Sequence, residues 1–328
     1  MHALIGDIGG TNARFALVDT TSARPELQSL RTLRNAEFAS LQHAAERYLQ
    51  DVDARPRHAA IAVASPVTGD AIRLTNRAWS FSRVELERSL SLERLLVLND
   101  FGAIARAVHV LGPDDRETLH HGQVLHSELA SPVSVIGPGT GLGVALLVGD
   151  ASRGWTVVET EGGHATFAPL GDEEQRIARW LNARHGHTSN ERLLSGPGIS
   201  NIDHVLAAGD EPSFDALTAP PRDPATIVAA ALEGHDVVAR RALARFCAVL
   251  GSFAGDVALL HGARTVMIAG GIVPRFIPFL RTSAFRERFL AKGRFAALLE
   301  TVAIHVVTHP QPGLVGAAQA LREQEAPT

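Results

Sequence analysis

The sequence of 328 residues is nearly without cysteine and lysine. Cys247 is its single cysteine. No disulfide framework and no multi-cysteine zinc or iron–sulfur site can form, and a lone thiol fits a reducing compartment. Of the 31 basic residues, 30 are arginine and only Lys292 is lysine. A P-loop needs lysine before Ser or Thr, and Lys292 is followed by Gly293. A protein-kinase site needs a strand lysine, and Ala291-Lys292-Gly293-Arg294 is no strand. If ATP binds, other groups grip it. An excess of one charge is lacking too: the net charge of -4 gives no electrostatic case for nucleic acid or an anionic membrane. No apolar run approaches ~18 residues, so no membrane-spanning helix is expected. The N-terminus has no basic stretch and meets Asp7 at once, unlike a signal peptide.

What is present reads as an α/β protein of about two domains. Ala3–Ile8 is a strand, Gly9-Gly10-Thr11-Asn12 a turn, and Arg14–Val18 a second strand. Residues 20–29 read as loop. A helical stripe runs through Leu41, Ala44, Ala45, Tyr48 and Leu49. His58–Ala64, Ala71–Thr75 and Arg94–Leu98 are strands, the last running into Asn99-Asp100 and a helix over Phe101–Val110. The style then repeats: strand Val133–Ile136, turn Gly137-Pro138-Gly139-Thr140-Gly141, strand Leu142–Val148. This is an internal duplication, its period too long for a repeat array. Further on, Asp172 or a neighbour is expected to cap a helix through Leu181, and Asn190 to cap Glu191–Ser195. Residues 209–224 read as loop and His235–His261 as a long helix. Gly251 and Gly255 inside it suggest close packing, since each costs about 1 kcal/mol of helix propensity. Thr265–Ala269 and Val302–Val307 are late strands, and Gly313–Arg322 a closing helix.

Four constellations carry chemistry. Gly6-Asp7-Ile8-Gly9-Gly10-Thr11-Asn12 suits a phosphate tail: the glycines admit oxygens to backbone N–H groups, Thr11 adds a donor, and Asp7 can hold hydrated Mg²⁺. A glycine hairpin without a ligand reads the same way. Gly137-x-Gly139-Thr140-Gly141-Leu142-Gly143 is not a dinucleotide fingerprint, because its spacing differs and a strand follows it; a second phosphate-gripping hairpin fits better. Asn99-Asp100 lies at a strand's C-terminal end, the edge where α/β proteins hold ligands; taken alone it reads first as a helix N-cap, which Asn and Asp make very commonly. Glu161-Gly162-Gly163-His164, with Glu191 beyond, offers directional partners to sugar hydroxyls. As a metal pair, Glu161 and His164 would need a helix, which Gly162-Gly163 opposes.

Together and in order, GDIGGTNARFAL, LNDFGAIARAV, GPGTGLGVA, EGGHATFAP, ERLLSGPGISNI, AGGIVPRF and PGLVGAAQAL resemble the bacterial ATP-dependent glucokinases over nearly the whole chain. The resemblance implies an actin-like ATPase (ribonuclease H-like) fold of two α/β domains with a central cleft. The domains expected are 1–111, completed by helix 311–328, and 112–310. The implied activity is phosphoryl transfer from MgATP to the 6-hydroxyl of glucose, at the entry to glycolysis, by a cytoplasmic enzyme and possible homodimer without nucleic-acid or membrane partners. By motif, Asp100 is the implied catalytic base. Asn99, Asp100, Glu161, His164 and Glu191 are implied sugar ligands. Asp7 organises Mg²⁺ through water. Gly9, Gly10, Thr11 and Asn12, then Gly139 and Thr140, hold phosphates, and Gly270-Gly271 the adenosine. Pro138 departs from expectation, since it offers no N–H to a phosphate. One cysteine excludes the zinc motif of the repressor-related branch, and opening on a strand disfavours an N-terminal helix-turn-helix. Another hexose, a polyphosphate donor, or a silent sugar-binding regulator on the same fold are the competing readings.

Overall fold

Alternation along the first strand decides where the first core lies. In β1 (His2–Ile8), Leu4 and Ile8 pack with Leu41, Ala44 and Tyr48 of the helix Leu41–Asp51. Ala3 and Ile5, on the other face, pack with Ala103 of the helix Asp100–Ala107 and with Leu314, Ala317 and Leu321 of the helix Pro312–Glu325. Both faces are therefore covered, which explains why the strands read as nearly continuous apolar runs. This computed structural model describes residues 2–22, 24–65, 67–74, 79–123, 129–209 and 219–325. It divides into two units, Met1–Gly112 with His309–Thr328, and Pro113–Thr308.

The first unit's sheet has the order β3-β2-β1-β4-β7, with β2 Asn12–Asp19, β3 Gln28–Arg34, β4 His58–Val63 and β7 Arg94–Asn99. β1, β2 and β3 run antiparallel; β1, β4 and β7 run parallel. A small ribbon pairs β5 (Ala71–Arg73) with β6 (Ser80–Ser82); Thr75, expected in that strand, lies outside the described residues. Strand β3 falls largely in a stretch not expected to be a strand. At Gly316 an added Cβ would overlap the Ala103 carbonyl oxygen, so the Pro312–Glu325 and Asp100–Ala107 helices touch backbone to backbone.

The second unit's sheet runs β11-β10-β9-β12-β13-β8, with β8 Arg116–His120, β9 Val133–Pro138, β10 Leu142–Asp150, β11 Gly154–Thr160, β12 Thr265–Ile268 and β13 Ala303–Val307. Three antiparallel strands followed by two parallel ones repeat the first sheet's pattern, and β8 adds an antiparallel edge. The duplication read at the two glycine turns thus extends across both sheets. The helix Val237–His261 is long and apolar enough to cross a membrane by length and composition, but it is the spine of this unit's core. Cβ atoms at Gly251 and Gly255 would strike the carbonyl oxygens of Phe285 and Phe289, the close packing that the sequence suggested. Burial on the core side of this helix pushes its Cys247 thiol up to about 12. The helix starts at Val237, two residues after the expected His235, with Asp236 capping it through the Ala239 amide.

Two capping expectations fail. The helix Gly171–His185 is preceded by Leu170, whose amide donates to Glu174 Oε2 at 2.8 Å; Asp172 lies inside the first turn. Glu174 is fully buried. Burial alone would raise its pKa, but Arg288, the Leu170 amide and Arg245 outweigh it and hold the carboxyl below its ordinary value. Asn190 does not cap Glu191: Ser189 precedes that short turn, and the Asn190 side chain is engaged elsewhere.

Candidate active site

In the first unit, the β1–β2 hairpin closes through Gly9 N–H donating to Asn12 O at 3.0 Å. Asp7 faces Arg14 across the ladder, and Arg14 Nη1 lies 3.2 Å from Asp7 Oδ2. Burial raises the Asp7 pKa, and the Arg14 charge and hydrogen bond pull it back only in part. A desolvated carboxylate of this kind favours a second cation. The closing helix packs close on this carboxyl, because a Cβ at Gly313 would come within 3.2 Å of Asp7 Cγ. Gly313 was read only as the start of the closing helix; its packing on Asp7 was not foreseen, though a glycine in a helix's first turn was the available signal.

Among the described residues no group of three or more His, Cys, Asp or Glu side chains comes together to hold a metal. Asp7 offers one buried carboxylate, which fits Mg²⁺ bound by a single carboxylate, phosphates and water, the usual form for that ion.

Asn99 and Asp100 divide the head of the Asp100–Ala107 helix between them. Asn99 is the N-cap: its Oδ1 accepts from Phe101 N at 2.9 Å and from Gly102 N at 3.1 Å, and its Nδ2 donates to Ser65 O at 3.4 Å. Asp100 is the first helical residue, with Oδ1 accepting from Phe101 N at 2.8 Å. The cap that competed with a chemical role for this pair thus belongs to Asn99.

In the second unit, the turn after β9 is tied by Gly139 N–H donating to Gly141 O at 2.8 Å, and Gly139 O accepts from Gly196 N at 2.8 Å. The first of these bonds uses the Gly139 amide and not those of Thr140 and Gly141. Pro138 ends β9, where its ring is buried opposite Leu142, so the missing N–H falls in the strand and not at the tip. Gly270 follows β12 with φ +102°, and a Cβ there would sit 2.5 Å from Pro138 O. Only glycine allows that approach. Gly271 faces open space. The Gly270-Gly271 pair therefore lies against the base of the second hairpin.

Glu161, His164 and Glu191 come together although 30 residues of chain span them. Gly162–His164 is a single 3₁₀ turn, so the glycine pair, read as opposing helix, permits one tight turn. Its reason is packing: a Cβ at Gly163 would overlap Leu142 O. The following segment is clamped to the Glu191 segment by Phe167 N to Thr188 O at 2.9 Å, Asn190 N to Ala165 O at 3.0 Å and Asn190 Nδ2 to Ala165 O at 2.9 Å. His164 Nε2 stands 3.9 Å from Glu161 Oε2, and His164 Nδ1 stands 4.0 Å from Glu191 Oε1. Both separations exceed a hydrogen bond. Glu191 also accepts from Leu142 N at 3.0 Å, and a Cβ at Gly141 would sit 2.6 Å from its Oε2. Its carboxylate thus braces the second hairpin, a bond that no local signal announced.

Against known proteins, the family model described as Glucokinase matches residues 4–324. A glucokinase of Yersinia pestis is 42% identical over 324 residues, covering 98% of this chain and 97% of the relative. The crystal structure of glucokinase from an Antarctic psychrotroph superposes with TM-score 0.83 at 37% identity, covering 98% of this chain and 99% of that one. A glucokinase from Balamuthia mandrillaris, solved in complex with glucose, shares the fold at TM-score 0.76 and 20% identity, covering 98% and 93%.

Proposed function

The chain belongs to the glucokinase family, and from that premise we propose how its residues divide the work. It is an ATP-dependent hexose kinase of actin-like ATPase fold, phosphorylating glucose. The finer reading is transfer of the γ-phosphoryl group to the 6-hydroxyl, the entry step of glycolysis, in the cytoplasm. The lone buried thiol suits that reducing compartment. A homodimer is the assembly the resemblance implies, and sedimentation tests it.

Asp100 takes the proton of the attacking hydroxyl as the bond to phosphorus forms. Asn99 sets the helix head beside it and contributes a sugar contact. Glu161, His164 and Glu191 bind and orient sugar hydroxyls, and their spacing leaves polar capacity for a ligand. The hairpin residues Gly9, Gly10, Thr11 and Asn12, and Gly139 and Thr140, hold phosphate oxygens. Gly270-Gly271 let the adenosine approach the backbone. Mg²⁺, when bound, would supply charge that offsets the charge developing on the phosphates. Asp7 would hold the ion through its water shell. Preorganised amides and charges of this kind commonly supply most of the catalysis in phosphoryl transfer.

The observation that carries the proton-acceptor role is the cap itself. Because Asn99 caps the helix, Asp100→Asn removes the acceptor without removing the cap. General-base assistance is worth ~10²–10⁴-fold. We expect kcat to fall toward the upper end of that range, with glucose Kd changed far less and Tm near wild type. A kcat within tenfold of wild type would remove Asp100 from the mechanism. Coupled ADP release over a panel of hexoses and with polyphosphate defines acceptor and donor range.

A further inference from the structure

Asn35 begins the 3₁₀ turn that follows β3, and no exposed surface remains to it. Its Nδ2 donates to Gly9 O at 2.8 Å, and its backbone N–H donates to Thr11 O at 3.0 Å. The carbonyls on either side of Gly10 are thus turned toward one residue, 26 positions along the chain from Gly9. Its Oδ1 is buried and has no hydrogen-bond partner among the described residues. Rotating the amide would not help, because the Gly9 carbonyl demands the NH₂ side. An amide buried with half its capacity unmet is a burden on the fold that a small apolar side chain would avoid. The donor to Gly9 is what that burden obtains. A turn with two adjacent glycines has wide backbone freedom, and tying both flanking carbonyls removes much of it before any ligand arrives.

We propose that Asn35 is a positioning residue for the nucleotide: it holds the Gly9-Gly10-Thr11 turn in the conformation that receives phosphate oxygens. This rests on reading that turn as a phosphate loop. Asn35 touches no reacting group; it acts through the turn's backbone, by preorganisation.

The test compares Asn35→Ala and Asn35→Leu with two references. Thr11→Ala alters the loop itself. Tyr48→Phe removes a hydrogen bond to Ser29 O, 3.1 Å long and in the same unit, without touching the loop. For each, ATP KM, glucose Kd measured by calorimetry without nucleotide, and Tm are recorded. Asn35→Ala is expected to raise ATP KM about tenfold and to leave glucose Kd within about twofold, whereas Tyr48→Phe lowers Tm and leaves ATP KM unchanged. If Thr11→Ala raises ATP KM but Asn35→Ala does not, Asn35 is structural and the loop reading stands. If neither raises it, the phosphate-loop reading fails and takes this proposal with it. If Tyr48→Phe raises ATP KM as much as Asn35→Ala at equal loss of Tm, the effect is general destabilisation and the proposal is overturned. Should Asn35→Ala not fold, Asn35→Leu, of similar shape and without any side-chain donor, carries the same comparison.

Discussion

The two glycine hairpins occupy the same place in two sheets of the same pattern, yet they are furnished differently. In the first, the second pair back from the turn is Asp7 facing Arg14. In the second, the corresponding pair is Gly137 facing Gly143. One hairpin presents charge; the other presents backbone and space. Their supports differ in kind as well. The first turn is fastened from outside the hairpin by Asn35, through its buried side chain and its backbone N–H. The second is fastened by three elements: the Gly196 amide, the Glu191 carboxylate and the backbone approach of Gly270. The frame occurs twice, and under the proposed function the differences inside it give metal and phosphate charge to the first copy and the close fit of the nucleotide to the second.

The sharpest way to break this comparison is at Gly270. Gly270→Val meets both a positive φ and the Pro138 carbonyl, a combination expected to cost a few kcal/mol. ATP kcat/KM should fall by about a hundredfold or more and Tm should drop, while glucose Kd stays within a few-fold. An unchanged ATP KM in folded Gly270→Val protein would detach this glycine pair from the nucleotide.

A smaller effect is expected at Glu191, where the second hairpin and the sugar cluster share a carboxylate. Glu191→Gln keeps an oxygen for the Leu142 amide but loses the charge. Losing a charged partner to a buried hydroxyl costs ~1.5–3 kcal/mol, so glucose KM should rise about tenfold or more with ATP KM little changed. If both KM values rise together, the brace on the hairpin depends on the charge as well. If neither moves, Glu191 only supports the turn.

Much of this was legible in the chain because it is written in local chemistry. Strands β1, β2, β4, β7, β9 and β10 and the helix Val237–His261 announce themselves by apolar pattern, and the two hairpins by their glycines. β3 escaped because it is an edge strand with nearly every residue exposed, so no alternation marks it. Asn190 was misread because its partner, Ala165, lies 25 residues away and outcompetes the local cap. The Asp172 cap failed for a related reason, since a buried Glu174 reaches back to the Leu170 amide instead. The Glu161-Gly162-Gly163-His164 residues were visible as a motif, but the closeness of Gly163 to Leu142, which fixes their position, was not. Asn35 gave no signal at all: one Asn after an exposed strand is ordinary until its bond to Gly9 is seen.

The central claim, that the first hairpin manages charge and the second fit, reduces to one thermodynamic coupling. The Kd of a non-hydrolysable ATP analogue should be measured by calorimetry with and without Mg²⁺ for wild type, Asp7→Asn and Gly139→Val. The account predicts that Gly139→Val weakens binding in both conditions and leaves the Mg²⁺ enhancement within about twofold of wild type, whereas Asp7→Asn reduces that enhancement about tenfold or more. Equal loss of the enhancement in both variants, or its full retention in Asp7→Asn, would contradict the division of labour between the hairpins.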